Sequence, residues 1–80
     1  MAVVRLFAAA REAAGTGRDT LEGSTVAEVL DAARARYGPG FADVLRICRV
    51  WVNGEPASLD ERVGDGDEVA VLPPVSGGSG

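Results

Sequence analysis

One helix, marked at its start and flanked by strand-like segments on both sides, limits this chain to few architectures. Thr25-Val26-Ala27-Glu28 has the spacing of a capping box, in which hydroxyl and carboxylate each satisfy a backbone N–H left free in the first turn. Val26, Val29, Leu30, Ala33 and Tyr37 then recur at intervals of three and four, making one apolar stripe with Glu28, Asp31, Arg34 and Arg36 mostly off it. Gly38-Pro39-Gly40 is expected to end the run, and Phe41, Val44 and Leu45 to add a further helical turn beneath it. An amphipathic helix must bury its stripe against another element, and the segments available are strands.

Val3 to Phe7 reads as a strand, followed by an alanine-rich short helix, Ala8 to Ala14, that stops at Gly15-Thr16-Gly17. Arg18 to Glu22 reads as a second, weaker strand. Ile47 to Asn53 alternates as a half-buried strand does and runs into the turn pair Asn53-Gly54. Glu55 to Val63 is irregular, Gly64-Asp65-Gly66-Asp67 turns into a last strand, Glu68 to Leu72, and Pro73-Pro74 ends it for want of ladder donors. The expectation is an α+β fold: a four- or five-stranded mixed sheet with one main helix across one face. Residues 1–74 would form the domain and residues 75–80 a flexible tail with almost nothing to bury.

Size and composition narrow the function. An 80-residue chain buries only about 60–65% of its unfolded surface, which leaves little room for a deep catalytic pocket and favours a module that works with partners. All eight basic residues are arginines and the net charge is -4, so the broad positive field that holds nucleic acid is missing. No apolar run approaches the ~20 residues of a membrane span, and Met1 to Phe7 lacks the pattern of a signal peptide, which points to the cytoplasm. With no histidine and one cysteine, Cys48, the chain has neither the usual general base nor a zinc ligand set, and no intrachain disulfide. Self-contained nucleophile-plus-histidine catalysis and typical zinc sites are therefore excluded.

Strand alternation separates two faces. If Val4, Leu6, Cys48, Val50, Val52, Val69 and Val71 face the helix, then Val3, Arg5, Phe7, Arg49, Trp51, Glu68, Ala70 and Leu72 face outward. Phe7, Trp51 and Leu72 would be an exposed apolar cluster beside arginines, which is what a docking face looks like; Phe7 or Trp51 could instead pack singly under Glu55 to Val63. Arg11 is either a solvated helix residue or a partner contact. Cys48 reads as a small core hydrophobe. Asp65, Asp67 and Glu68 read as a tight turn, since calcium takes six to eight oxygens and this segment offers fewer. Gly77-Gly78, bare of Cβ atoms, could lie extended in a channel too narrow for side chains, although Gly-Gly-Ser-Gly is also the composition of a plain linker.

Taken together, Val4 to Gly15, Val52-Asn53-Gly54-Glu55 and above all Asp65 to Gly78, with its strand, double proline and diglycine, resemble the ubiquitin-like sulfur-carrier family. The likeness is greatest to the small-subunit branch of molybdopterin synthase and weaker to the thiamin-pathway branch. The resemblance implies a β-grasp fold and a carrier role. An adenylating enzyme using ATP-Mg would activate the terminal glycine carboxylate, a persulfide donor would convert it to a thiocarboxylate, and a sulfur-acceptor synthase would take the sulfur, most nearly for molybdenum cofactor synthesis. Gly77 and Gly78 would be the sulfur-carrying end, and Phe7, Arg11, Arg49, Trp51, Leu72 and Val75 the partner contacts; the chain itself would bind no cofactor. Delivery to thiazole, cysteine or a specialised metabolite, attachment to other proteins as a modifier, and a plain interaction domain are the competing readings.

One departure from the family pattern bears on chemistry. Ser79 and Gly80 follow the diglycine and would carry the carboxylate about 7 Å too far, at ~3.3–3.6 Å per residue. Either a peptidase removes Ser79-Gly80, or the two residues are an addition, or Gly80 is itself the working end. The expectation is that Gly78 works after their removal.

Overall fold

The structure is a computed structural model and describes residues 1–74. The expected tail, residues 75–80, lies outside the described residues.

The elements run β1 (Ala2–Leu6), α1 (Ala8–Ala14), β2 (Arg18–Leu21), α2 (Val26–Tyr37), α3 (Pro39–Leu45), β3 (Arg49–Val52), β4 (Glu55–Pro56) and β5 (Glu68–Leu72). The strands form one five-stranded sheet in the order β2-β1-β5-β3-β4. The central strand β5 runs parallel to its neighbour β1, with Val4 beside Val69 and Leu6 beside Val71. All other pairings are antiparallel. The sheet is therefore mixed, as expected.

Helix α2 forms where the cap is written. The Thr25 Oγ1 accepts from the Glu28 N–H at 3.2 Å, and Glu28 Oε1 accepts from the Ser24 N–H at 2.8 Å. Val26, Val29, Leu30 and Ala33 are buried as the stripe requires, and Tyr37 is half-buried. Just before the cap, Gly23 sits at φ +146°, where an added Cβ would lie 2.6 Å from the Val29 nitrogen, so only glycine lets the chain approach the helix this closely.

Several boundaries differ from the sequence reading. Gly38-Pro39-Gly40 ends α2 and at once begins another helix: Pro39 occupies the first turn of α3, where a missing N–H costs nothing, and Phe41 beyond it is fully buried. The third strand starts at Arg49 instead of Ile47, because Ile47 and Cys48 donate their N–H groups back to Val44 and Leu45 in the turn leaving α3. Ile47 is consequently exposed. The first strand ends at Leu6, and Phe7 is the N-cap residue of α1. Glu55 to Val63, read as irregular, contributes the two residues of β4. Asn53 and Gly54 close that hairpin at φ 51° and 85°, the left-handed pair that a tight two-residue turn requires.

The core lies between the sheet and the helices. Val4, Leu6, Val69 and Val71 from the sheet meet Val26, Val29, Leu30, Ala33, Phe41 and Leu45 from α2 and α3, with Ala10 of α1 enclosed at one end. Each such valine or leucine contributes about 1.5–3 kcal/mol on full burial.

Candidate functional site

The other face of the sheet carries no helix among the described residues. Register fixes its rows. Arg5, Ala70, Trp51 and Pro56 lie side by side across four strands, and Arg49 lies beside Leu72. Phe7 follows Leu6, which pairs with Val71, so the parallel register brings Phe7 level with Leu72. Phe7 has extended backbone and is 38% exposed; the Arg5 guanidinium carbon sits 5.7 Å from its ring centroid, while Arg5 Nη1 is 3.4 Å from Glu68 Oε2. Such a cation over a ring favours a fixed aromatic orientation. Trp51 and Leu72 are half-buried and stand outside the core. Ala70 between Arg5 and Trp51 keeps the middle of the face low.

The structure thus brings Phe7, Arg49, Trp51 and Leu72 onto one surface. Trp51 is half-buried, and Pro56 of β4, from the Glu55 to Val63 segment, is its cross-strand neighbour. Phe7 is not beneath the Glu55 to Val63 segment. Arg11 is exposed on α1 at the same end of the molecule, but its side chain leans over Gly17, where any Cβ would meet the Arg11 Nε at 3.3 Å. It therefore flanks a shallow hollow with Ala8, Glu12, Gly15 and Thr16 and is not part of the sheet face. Strand β5 ends at Leu72, and Pro73-Pro74 leave the sheet from its centre at the end that holds Phe7 and Arg49. Val75, Gly77 and Gly78 lie outside the described residues.

The remaining candidates have structural partners. Cys48 Sγ donates to the Val44 carbonyl at 3.2 Å, and burial pushes its thiol pKa up, the reverse of what a nucleophile needs. Asp67 accepts from Asn53 Nδ2 at 3.0 Å and from the Gly64 N–H at 2.8 Å, which holds its carboxyl below the usual range; Asp65 is held low by the Met1 ammonium. These acids fasten turns. No group of three or more His, Cys, Asp or Glu side chains among the described residues could hold a metal ion. No helix among them is long and apolar enough to cross a membrane.

One cluster is absent from the sequence reading. Tyr37 Oη donates to Asp19 Oδ2 at 2.6 Å, and Arg36 Nε lies 2.8 Å from the same oxygen. The Tyr37 hydrogen bond lowers the Asp19 pKa, with Thr20 and Arg36 assisting against desolvation; desolvation and then Asp19 raise that of Tyr37. The trio ties the end of α2 to the edge strand β2. Nothing in the spacing of residues 19, 36 and 37 signals it, since the contact exists only once the helix has crossed the sheet.

The comparisons with known proteins agree with this geometry. The chain is 35% identical over 80 residues to the molybdopterin synthase sulfur carrier subunit of Chlamydomonas reinhardtii, covering 94% of this chain and 95% of that one. It is 38% identical over 84 residues to small archaeal modifier protein 1 of Haloferax volcanii, covering 92% and 97%. Among solved structures, the Amycolatopsis orientalis BexX/CysO complex contains a chain that superposes with a TM-score of 0.82 at 28% identity, covering 98% of this chain and 100% of that one. The profile of the ThiS family matches residues 4–78. With a β-grasp sheet, an open outward face and a family match running to Gly78, the chain belongs to the ThiS family of ubiquitin-like sulfur carriers, and is a carrier rather than an enzyme.

Proposed function

We propose that this chain carries sulfur as a thiocarboxylate on Gly78, with Gly77 and Gly78 entering partner active sites and Phe7, Arg49, Trp51, Leu72 and Val75, flanked by Arg11, docking the domain. The observation that carries this reading is the exit of the chain from the central strand β5, through Pro73-Pro74, beside a sheet face that no helix covers among the described residues. A carboxylate is a poor electrophile, so an activating enzyme first joins it to AMP from ATP-Mg and releases pyrophosphate. A sulfur atom from a persulfide donor then attacks the acyl carbon and AMP leaves. A thiol then attacks the donor's sulfur in the sulfur–sulfur link, forming a disulfide with the donor and leaving the thiocarboxylate on Gly78. This chain supplies the carbonyl end and the surface that positions it; the nucleotide and the sulfur donor belong to partners.

The acceptor we favour is a molybdopterin synthase, in the cytoplasm, since the Chlamydomonas relative carries that name over almost its full length. A peptidase that removes Ser79 and Gly80 completes the scheme. A specific observation supports a second reading, in which Gly78 is joined to amines of other proteins: the Haloferax relative is named a modifier at similar identity, 38% against 35%. Partner complexes of the kind seen for the Amycolatopsis relative suit either reading.

Incubation of a chain ending at Gly78 with an activating enzyme, ATP-Mg and a persulfide donor, followed by intact mass measurement, should show one oxygen replaced by sulfur. Heavier conjugates in place of the thiocarboxylate would select the modifier reading. Full function in a chain whose carboxyl end is blocked would sink both.

A further inference from the structure

Register sorts the charges of this chain into two ends. Because β1 and β5 run together and β2 and β3 run against them, Leu6, Arg18, Arg49 and Leu72 share one end, and Ala2, Leu21, Val52 and Glu68 share the other. Arg11 on α1 and Arg46 at the close of α3 join the first end. Arg11, Arg18, Arg46 and Arg49 are all exposed, and among the described residues none has a carboxylate within 4.0 Å. Three carboxylates share this end: Asp19, already engaged by Arg36 and Tyr37, Glu12 beside Arg11 on α1, and Asp43 on α3 before Arg46, so the four arginines still outnumber the two open acids. Glu22, Glu55, Glu61, Asp65, Asp67 and Glu68 gather at the opposite end, where Arg62, bridged to Thr25, is outnumbered. A chain of net charge -4 therefore leads with a positive end, and it is the end from which Pro73-Pro74 depart.

We propose that Arg11, Arg18, Arg46 and Arg49 form an electrostatic guide that turns the molecule tail-end foremost toward proteins whose tail channel opens among carboxylates. The proposal rests on the carrier reading and adds the chemistry of the partner surface. A dipolar charge distribution of this kind raises the rate of productive encounter, because it orients the molecule before contact, and it acts within the ~8–10 Å over which charges are felt at ordinary ionic strength. The guanidinium fork suits carboxylates, which it can bind through two hydrogen bonds. The overall negative charge and the adjoining apolar face of Phe7 and Leu72 favour a protein surface over a nucleic acid backbone.

The test is titration of the isotopically labelled full chain with an octaglutamate peptide at low salt, followed by amide NMR. Shifts are expected around Arg11, Arg18, Arg46 and Arg49, absent around Glu22, Glu61 and Asp65, and largely lost near 1 M salt, where the screening length falls to ~3 Å. Each single Arg→Gln change should weaken binding about two- to fivefold, and the fourfold Arg→Gln variant should not respond. A fourfold Arg→Lys variant, which keeps the charge, should respond still. Shifts spread over both ends, or surviving the fourfold Arg→Gln change, would overturn the guide; a DNA duplex that binds these residues more tightly than the peptide would overturn the choice of an acidic protein. No activating enzyme or sulfur donor enters this titration, so its failure is distinguishable from a failure of thiocarboxylation.

Discussion

The two faces of the sheet are made from alternate residues of the same strands, and they do opposite things. On the covered face Val4, Val69 and Val71 are fully buried and Leu6 is 2% exposed, all against α2 and α3. On the outward face Val3, Arg5, Ala70 and Leu72 stay half-buried, with no helix over them among the described residues. The difference teaches that position parity along a strand, more than residue type, decides whether a side chain serves stability or is left for contact. An 80-residue domain has only about 4–12 kcal/mol of total stability, so the covered face has little to spare.

The largest effect should come from the covered side. Phe41→Ala empties a fully buried ring site and should cost about 3–5 kcal/mol in denaturant unfolding, enough to unfold much of the population. The sharper comparison is between neighbours on β5. Val69→Asp should abolish folding, because an unpaired carboxylate would replace a buried valine, whereas Ala70→Asp should cost less than about 1 kcal/mol. Similar losses at both positions would break the distinction between the faces.

Next in size is the response of the outward face itself. Trp51→Glu should weaken binding to an activating or acceptor enzyme by roughly 30-fold or more, as expected for a central aromatic contact, and leave the thermal midpoint within a few degrees. Calorimetry on the free and bound protein reads both. Global unfolding would show that the ring, set across from Pro56, belongs to the fold.

The Asp19–Tyr37–Arg36 trio lies at the rim between the faces, and there the effect should be about 1–2 kcal/mol and dependent on pH. The Asp19 carboxyl has a lower pKa folded than unfolded, so its contribution is complete above the unfolded value near 4 and is lost as pH falls through the folded one. Tyr37 has the opposite sign: its pKa is raised by folding, so its contribution is complete below about 10 and is lost as pH climbs above that. Asp19→Asn should flatten the acid limb of the stability profile, and Tyr37→Phe the alkaline limb. Unchanged limbs would mean that the trio does not hold the helix to the edge strand.

Much of this organisation is legible in the sequence, for reasons that differ by element. Helix α2 is readable because its cap and its stripe are local, within reach of one or two turns. Both faces of β1 and β5 are readable because alternation is local too. What the sequence conceals depends on contacts made across the chain. The turn that consumes Ile47 and Cys48 forms because their N–H groups are taken by the end of α3, and β4 exists only because Trp51 and Val52 are there to pair with Glu55 and Pro56. The excess of arginines at one end and of carboxylates at the other is likewise invisible along the chain, where the two are interleaved, and follows from which strands run parallel. Of the site, the outward placement of Phe7 and Trp51 could be read by counting, whereas the lean of Arg11 over Gly17 could not.

The smallest effect is the most discriminating for the outward face. Arg5 and Glu68 face each other there with side chains 40% and 46% exposed, and an ion pair so open to water is worth about 0–1 kcal/mol at most. Glu68→Gln should therefore change stability by less than about 0.5 kcal/mol, a change best read from paired denaturant curves at low and high salt. Its effect on Arg5 is the informative part. Freed from the carboxylate, the guanidinium keeps its place over Phe7 only if the ring attracts it, which the Phe7 ring proton shifts would report. A loss of several kcal/mol would instead mean that this face is spent on folding, and a surface already committed to holding its own domain together has little left with which to meet another.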